Sequence, residues 1–530
     1  MKPDTVLPAL SILLFLLLTA CDQGTGERPE SGSMPPPAPQ PLLIEEASIH
    51  DLQSMMAQGS LTAVSLVEYY LHQIETLNPE LNAVLETNPE ALTIAAALDA
   101  ERLEGNVRSA LHGIPLLLKD NIDTADGMKT TAGSLALLDA PRPARDAFLV
   151  QQLREAGAII LGKANLSEWA NFRSSQSSSG WSARGGQTRN PYAPAYTPCG
   201  SSSGSAVAVT ANMVSVAIGT ETDGSIICPA ANNGVVGIKP SLGLISRSGI
   251  IPIAHSQDTA GPLARTVSDA AVLLSAMVAT DPADSITENA ANAEMIDYTQ
   301  FLQAGALNGK RIGVLRTLFT RNPQVDQLMQ TQLQILQQAG AELIDVDMTL
   351  PAAFNAAEFE VLLYEFKHDL NAYLQNRGGE MRSLADLIRF NRDNAETAMP
   401  YFGQELFEQA QTKGDLTDPA YLEALANSKR WSQGLIDDAL LTQQLDAFVA
   451  PSNGPGWAVD LEQGDQSASV NYVSSSSLAA VSGYPSITVP AGFIAGRPVG
   501  LSFFAGAFSE PELLALAYDY ELNSKARKAP

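Results

Sequence analysis

Histidine and cysteine are scarce in this chain. The sequence of 530 residues contains five histidines and three cysteines. The histidines stand singly, with no His-Glu-x-x-His motif and no Cys/His group at metal-ligand spacing. They are His50, His72, His112, His255 and His368. We therefore predict no metal site, and no motif calls for a cofactor.

Basic residues are also few. Lysine and arginine total 32 against 58 acidic residues, which gives a net charge of −26 at pH 7. A nucleic-acid partner requires a concentrated basic surface, and the sequence contains no basic cluster, so this class of partner is excluded. The hydrophobic fraction of 45% and the charged fraction of 17% are typical of a folded, enzyme-sized protein. The oligomeric state has no sequence signature, and a monomer is the default expectation.

A long apolar run stands at the N-terminus. Residues 1–20 combine Lys2 with an apolar core, which is typical of a secretory signal and shorter than the roughly 20 residues that span a bilayer. The ending Leu18-Thr19-Ala20-Cys21 resembles the bacterial lipobox. This resemblance implies cleavage before Cys21 and lipidation of that cysteine. We expect an exported bacterial lipoprotein of the cell envelope or periplasm, anchored in the membrane through Cys21.

Composition then divides the rest of the chain. Residues 21–44 are rich in Pro, Gly and Ser, which predicts a flexible tether, and residues 45–530 form the folded domain. Short apolar runs at 114–118, 158–162 and 216–218 are separated by helical patterns. This alternation predicts an α/β fold with a large mixed, mainly parallel β-sheet covered by helices on both faces.

Two Ser/Gly-rich turns within residues 197–230 are the main candidate site. Such composition alone is typical of a linker. Here the turns flank an apolar segment, which indicates a packed core. The first turn, 199–205, leads into a helix, and the second, 220–225, follows a short strand. In the second turn glycine permits backbone N–H groups to converge, as in an oxyanion hole.

These turns, together with the strand that ends at Lys119, resemble the motif of the amidase signature family. That motif has a Gly/Ser turn, a helix, a strand and a Gly-Ser nucleophile, and the separation of 24 residues between Ser201 and Ser225 matches it. The similarity extends from about Ile49 to the C-terminal helix. It implies the amidase signature fold, in which the mostly helical region at about 268–444 shapes the substrate cleft.

Within the family the sequence of these motifs is closest to that of bacterial peptide amidase, which removes the C-terminal carboxamide of peptides. The resemblance therefore implies hydrolysis of a carboxamide to a carboxylate and ammonia through an acyl-enzyme. It assigns Ser225 as nucleophile, Ser201, after a cis peptide, as proton relay, and Lys119 as base. The oxyanion would be bound by the backbone N–H groups of Thr222, Asp223, Gly224 and Ser225.

The chemistry of amide hydrolysis agrees with these residue types. An unactivated serine is a poor nucleophile, so Ser225 needs a base. Lysine is a base only when neutral, and the apolar strand 114–118 should desolvate Lys119 and lower its pKa. A hydroxyl such as that of Ser201 both donates and accepts a proton.

Other functions fit the sequence less well. A Ser-His-Asp hydrolase has a Gly-x-Ser-x-Gly motif directly after a strand. Residues 200–204 match this motif but do not follow a predicted strand, and Gly224-Ser225-Ile226 does not match the motif. Asp223 and Ile227 depart from the common family motif as they do in peptide amidases, so substrate contacts do not transfer from distant members such as the tRNA-dependent amidotransferase subunit. A broad-specificity aryl or aliphatic amidase is an alternative. A lipid-anchored binding protein with a decayed site is another, although all three catalytic residues are present.

Cys199 and Cys228 flank the two candidate serines. If Ser201 and Ser225 meet, these cysteines are also brought together, and an oxidising compartment would permit a disulfide. A bridge needs Cα atoms within about 7 Å. Because free cysteine is among the most buried residue types, we favour two buried free thiols over a disulfide.

Overall fold

The fold is taken from a computed structural model, which describes residues 44–293, 296–468 and 473–530. The predicted signal, Cys21 and nearly all of the tether lie outside these residues. The contacts between residues place Leu43–Pro530 in one compact unit. Among the described residues, no helix has both the length and the apolar character needed to cross a membrane.

The strands form one large sheet and one small hairpin. In chain order they are β1 Val84–Thr87, β2 Pro115–Lys119, β3 Ile159–Ala164, β4 Trp181–Ser182, β5 Gly186–Gln187, β6 Val216–Glu221, β7 Val236–Lys239, β8 Thr259–Ala264, β9 Arg311–Leu315, β10 Glu342–Val346, β11 Ala447–Pro451, β12 Ser486–Ile494 and β13 Arg497–Phe504.

The helices precede, connect and cover these strands. They are α1 Ile49–Ala57, α2 Ala63–Leu81, α3 Ala91–Leu103, α4 Phe148–Glu155, α5 Ser203–Thr210, α6 Ile227–Asn232, α7 Val267–Met277, α8 Pro323–Gln338, α9 Phe354–Arg377, α10 Leu384–Asp393, α11 Ala395–Ala398, α12 Glu405–Gln411, α13 Pro419–Gln443, α14 Ser476–Ser482 and α15 Glu510–Ser524.

Within the described residues the large sheet has eleven strands in the order β1-β3-β2-β6-β8-β7-β12-β13-β11-β9-β10. Parallel pairs lie in two groups, β3-β2-β6 and β11-β9-β10, and antiparallel pairs join them. The predicted large mixed α/β sheet is confirmed. Its antiparallel middle includes the hairpin β12–β13, in which two positive-φ residues, Ala495 and Gly496, make a turn too short for a parallel crossover.

Helices cover both faces of the sheet around β2, β3 and β6. Successive side chains of a strand point to opposite faces, and every residue of these three strands is buried. The predicted coverage of both faces is therefore confirmed here. The apolar runs in the sequence follow directly from this burial.

The helices follow their sequence signals closely. The hydroxyl of Ser48 accepts a hydrogen bond from the N–H of Asp51 at the start of α1, and Thr62 does the same for Ser65 in α2. Residues 268–444 are mostly helical, with only the two strands β9 and β10 among the described residues of this region. Strand β8 gives no clear sequence signal because it contains Gly261 and Pro262, which normally argue against an interior strand.

The expectation of two free thiols is wrong. Cys199 and Cys228 form a disulfide, with their Cα atoms 5.9 Å apart. The reason is local: the N–H of Ser202 donates to the carbonyl of Ser225 at 3.1 Å, so the two Ser/Gly turns lie side by side and carry their flanking cysteines into bonding range. The bridge therefore ties the turn before α5 to the start of α6.

We predict that neither cysteine is alkylated when protein from an oxidising compartment is denatured without reductant. Reduction should expose both thiols, as mapped by peptide mass spectrometry. Removing the bridge with Cys199→Ala and Cys228→Ala should lower the free energy of unfolding by about 3 kcal/mol, because a loop of some 30 residues is no longer closed in the unfolded chain. Two alkylated thiols in the unreduced protein would contradict the assignment.

Candidate active site

Lys119 stands at the end of β2, where the strand enters the candidate site. Strand β2 runs parallel to β6, with Leu118 opposite Ile218, so both strands end at the same edge of the sheet. There the Lys119 Nζ lies 2.7 Å from Ser201 Oγ, 2.8 Å from Thr220 Oγ1 and 3.1 Å from the Thr220 carbonyl oxygen. The lysine side chain is fully buried, and its amine has no access to bulk water.

Burial determines the charge of this lysine. Desolvation penalises the ammonium form and lowers the pKa of Lys119 to about 7, although the negative charges of Asp258 and Glu221 act in the opposite direction. The desolvation predicted from the apolar strand is therefore confirmed. At neutral pH a large fraction of the amine is unprotonated and able to accept a proton.

Ser201 is held beside this amine by its backbone. The Gly200–Ser201 peptide bond is cis, the arrangement that the family resemblance implied. The carbonyl of Ser201 accepts the N–H of Ser167 at 3.1 Å. A Cβ at position 200 would collide with the hydroxyl of Ser167, which explains the glycine there.

Ser225 stands on the second turn and is 8% exposed. Gly224 precedes it with a φ of 77°, a conformation that favours glycine. Glu221, the last residue of β6, accepts the N–H groups of Ile226 and Ile227 at 2.6 and 2.9 Å. These bonds fix the turn from its far side, so Ser225 is positioned by β6 and by the first residues of α6.

The backbone N–H groups of the second turn are free to bind a ligand. Within the part of the chain that the structure describes, the N–H groups of Thr222, Asp223, Gly224 and Ser225 have no protein acceptor. Such groups are the donors from which an oxyanion hole is built. The six catalytic and oxyanion positions singled out in the sequence, 119, 201 and 222–225, thus lie at one edge of the sheet.

Sequence reasoning missed the residues that support Lys119. The Asn121 amide donates to Thr220 Oγ1 at 3.0 Å, and the Thr222 hydroxyl donates to Asp258 at 2.6 Å. Burial raises the pKa of Asp258 to about 6, against the stabilising bond from Thr222. Neither contact has a local signal, because the paired residues are 99 and 36 positions apart in the sequence and only the fold brings them together.

A cavity of about 360 Å³ adjoins this machinery. Asn121, Thr220, Thr222 and Asp258 line it on the side of Lys119, whereas Ser201 and Ser225 lie outside its lining. A second cavity of about 630 Å³ shares Ser248, Gly249, Ala283 and Tyr373 with it. Together they provide a cleft of the size that small organic ligands occupy.

One His/carboxylate group in the described residues has the proximity of metal ligands. The ligand atoms of His255, Glu365 and Asp369 lie within 4.8 Å of one another. The Glu365 oxygens already accept Tyr421 and the Ser256 N–H, and Asp369 already accepts His255 Nδ1 at 2.8 Å. Internal hydrogen bonds account for this group, which joins α9 to the loop before β8.

The family model described as Amidase matches residues 65–514. The chain therefore belongs to the amidase family. A probable amidase of Arabidopsis thaliana is 44% identical over 501 residues, which cover 92% of this chain and 92% of the relative.

Solved structures give the same picture. The native peptide amidase from Stenotrophomonas maltophilia is 51% identical, with a TM-score of 0.87 over 92% of this chain and 98% of that chain. A peptide amidase in complex with the competitive inhibitor chymostatin is also 51% identical, with a TM-score of 0.88 over 92% of this chain and 100% of that one. The amidase signature fold is thus confirmed, and the protein is a hydrolase that acts on amides. The alternative of a binding protein with a decayed site is not supported.

We predict that the Lys119 amine titrates near pH 7 when followed by NMR of isotope-labelled lysine. In Asp258→Asn the midpoint should fall further, because the carboxylate that favours the ammonium form is gone while an amide can still bond to Thr222 and to the loop N–H groups. Asp393→Asn, a carboxylate outside the site, is the control and should leave the midpoint unchanged. A Lys119 midpoint near the ordinary lysine value, or an unchanged midpoint in Asp258→Asn, would contradict the lowered pKa of Lys119 or the effect of Asp258 on it.

Proposed function

We propose that this protein hydrolyses the C-terminal carboxamide of peptides, with Ser225 as nucleophile, Ser201 as relay and Lys119 as base. The observation that carries the mechanism is the buried Lys119 amine, 2.7 Å from Ser201 Oγ, with its pKa lowered to about 7. A base with a pKa near the working pH combines a usable neutral fraction with good proton affinity.

In the first half-reaction, Ser225 Oγ attacks the carboxamide carbon and gives its proton to Ser201 Oγ. Ser201 passes its own proton to Lys119 Nζ. The negative charge that develops on the carboxamide oxygen is stabilised by the free N–H groups of residues 222–225. Collapse of this intermediate breaks the C–N bond, and Ser201 returns a proton to the leaving nitrogen, which departs as ammonia.

In the second half-reaction, water replaces ammonia. The relay takes a proton from the water as its oxygen attacks the acyl ester, and it returns that proton to Ser225 when the ester bond breaks. One carboxamide and one water thus yield one carboxylic acid and one ammonia, and the enzyme is regenerated.

The three contacts of Lys119 serve both protonation states without movement. A neutral amine has two N–H groups for Thr220 Oγ1 and the Thr220 carbonyl, and a lone pair that accepts the hydroxyl of Ser201. After proton transfer, the ammonium group donates along all three directions. The relay therefore requires no rearrangement of the protein at the moment of reaction.

Two observations support a peptide substrate: the similarity of this chain to peptide amidases and the extent of its cleft. The two structures described above, at 51% identity, are both peptide amidases. In this chain the cavities of about 360 and 630 Å³ share Tyr373, so the cleft continues from Thr220 toward Arg145. An elongated substrate would occupy more of this cleft than acetamide or benzamide.

The substrate proposal is tested by ammonia release from a panel of amides. We expect peptide amides to give a kcat/KM at least about tenfold above aryl, fatty and free amino-acid amides, since only peptides fill both cavities. A matched peptide that carries a glutamine side chain and a free C-terminal carboxylate should release no ammonia. Equal rates across the panel would instead support the broad-specificity alternative.

Ser225→Ala, which removes the nucleophile, gives the background rate of this assay. Ammonia release by this variant should be lower than that of the wild type by a factor on the order of 10⁴. Circular dichroism should show that the variant is folded. A folded Ser225→Ala protein with normal ammonia release would refute the assigned nucleophile.

We also propose that the mature protein begins at Cys21 and is held on the bacterial cell envelope by lipid at that residue. The support is the lipobox-like sequence and the Pro/Gly/Ser-rich tether that follows it. More than one acyl chain is needed for stable anchoring, as in bacterial lipoproteins.

We predict that the wild-type chain fractionates with membranes and incorporates labelled fatty acid, and that Cys21→Ser abolishes both. The double variant Cys199→Ser/Cys228→Ser serves as the control, because these two cysteines pair with each other in the folded domain and their loss should not affect labelling. Wild-type protein found unprocessed and unlabelled in the cytoplasm would contradict the proposal.

A further inference from the structure

Two carboxyl groups from distant parts of the chain meet beside the nucleophile turn. Asp223 lies two residues before Ser225, and Glu358 lies in the second turn of α9 and is 8% exposed. The carboxyl groups are hydrogen-bonded to each other. Asp223 Oδ1 is buried and accepts no hydrogen bond from a nitrogen or hydroxyl group of the described residues, so no such donor competes with the Glu358 carboxyl for this atom.

The remaining bonds of the pair connect it to the second turn. Asp223 Oδ2 accepts the Ser477 hydroxyl of α14 at 2.7 Å, and Glu358 Oε1 accepts the Gln257 amide at 3.1 Å. The same Gln257 amide donates to the carbonyl of Thr222 at 3.2 Å. Glu358 is thus linked to the turn twice, through Asp223 directly and through Gln257.

A hydrogen bond between two carboxyl groups requires one proton. Two carboxylates in hydrogen-bonding contact would repel each other in a site with little water if neither carried a proton. The negative charge of Asp223 acts on Glu358 and also on Glu221 and Lys239. Burial and the neighbouring Asp223 charge raise the pKa of Glu358 to about 8.

We propose that Asp223 and Glu358 share one proton, and that this protonated pair is a positioning element that holds the backbone of residues 222–225 in the geometry that binds the oxyanion. The proposal rests on the function proposed above. It explains an acidic residue at position 223 next to the nucleophile, where an unpaired carboxylate would oppose the developing negative charge. The pair also connects α9 to the turn that binds the oxyanion.

This arrangement has a pH consequence. When Glu358 loses its proton, the pair becomes two repelling carboxylates, the turn loses its anchor on α9, and kcat falls. Wild-type activity should therefore decline above about pH 8. The pKa of Lys239 is also lowered to about 8 by burial, so the decline in the wild type alone does not identify the group, and variants are required.

Glu358→Gln supplies the test, because an amide donates permanently to Asp223 and cannot ionise. We expect its kcat at pH 7 to stay close to that of the wild type and its alkaline decline to disappear. Glu358→Ala should lower kcat by roughly tenfold to a hundredfold at pH 7, with a smaller change in KM, as expected for a displaced turn. Glu360→Gln, two residues along the same helix and outside the pair, should keep the wild-type profile. An alkaline decline in Glu358→Gln that superimposes on the wild type, or full kcat in Glu358→Ala, would overturn the proposal.

Infrared difference spectroscopy tests the shared proton without reference to activity. Burial also raises the pKa of Glu521 to about 8, so the band of the pair is identified as the one that Glu358→Gln loses relative to the wild type. Wild type and Glu360→Gln should show this band of a protonated carboxylic acid at pH 7, and it should disappear with a midpoint near 8. Absence of the band in the wild type would overturn the proposal even if ammonia release is normal. Its presence in an enzyme with no amidase activity would leave the pair established and refute the proposed function instead.

Discussion

The site depends on one interaction, the contact between the buried Lys119 amine and the hydroxyl of Ser201. Burying an ammonium ion without a full counter-charge costs desolvation free energy. This cost is avoided in the fraction of molecules in which the lowered pKa leaves the amine neutral near pH 7. The two oxygens of Thr220 accept hydrogen bonds in either protonation state, whereas Ser201 donates to the neutral amine and accepts from the ammonium group, so the amine is satisfied with or without its extra proton. The neighbouring carboxylates, Asp258 and Glu221, keep the pKa from falling too far for a useful base.

The sheet creates this contact by placing two strand ends together. Strands β2 and β6 are parallel neighbours, so Lys119 and the nucleophile turn leave the sheet at the same edge, as ligand sites in α/β proteins commonly do. Glu221 anchors the turn to the first N–H groups of α6, and the disulfide joins the start of α6 to the turn that carries Ser201. Relay, nucleophile and oxyanion donors are therefore held by short covalent or hydrogen-bonded links to the same two strands.

The sequence allowed prediction of those parts of the site that have a local signature. The apolar strand before Lys119 and the glycine before Ser225 each follow from a few neighbouring residues. The antiparallel middle of the sheet could not be predicted in this way, since β8 contains a glycine and a proline. The disulfide has no local signature either, because burial is equally typical of free cysteines and only the contact between the two serine turns brings Cys199 and Cys228 together. Thr220, Asp258 and Glu358 were missed because their roles arise from contacts between distant segments, which residue spacing does not encode.

The proton relay is tested most directly by the rate at which Ser225 becomes acylated, measured by rapid quench and peptide mass spectrometry at a series of pH values. If Lys119 is the base, the wild-type rate rises with an apparent pKa near that of Lys119, about 7. In folded Lys119→Met, which keeps the length of the side chain without the amine, the rate falls by a factor on the order of 10⁴ and its dependence on pH in this range disappears. A Lys119→Met protein that acylates Ser225 at nearly the wild-type rate and with the same pH profile would show that the base is another group.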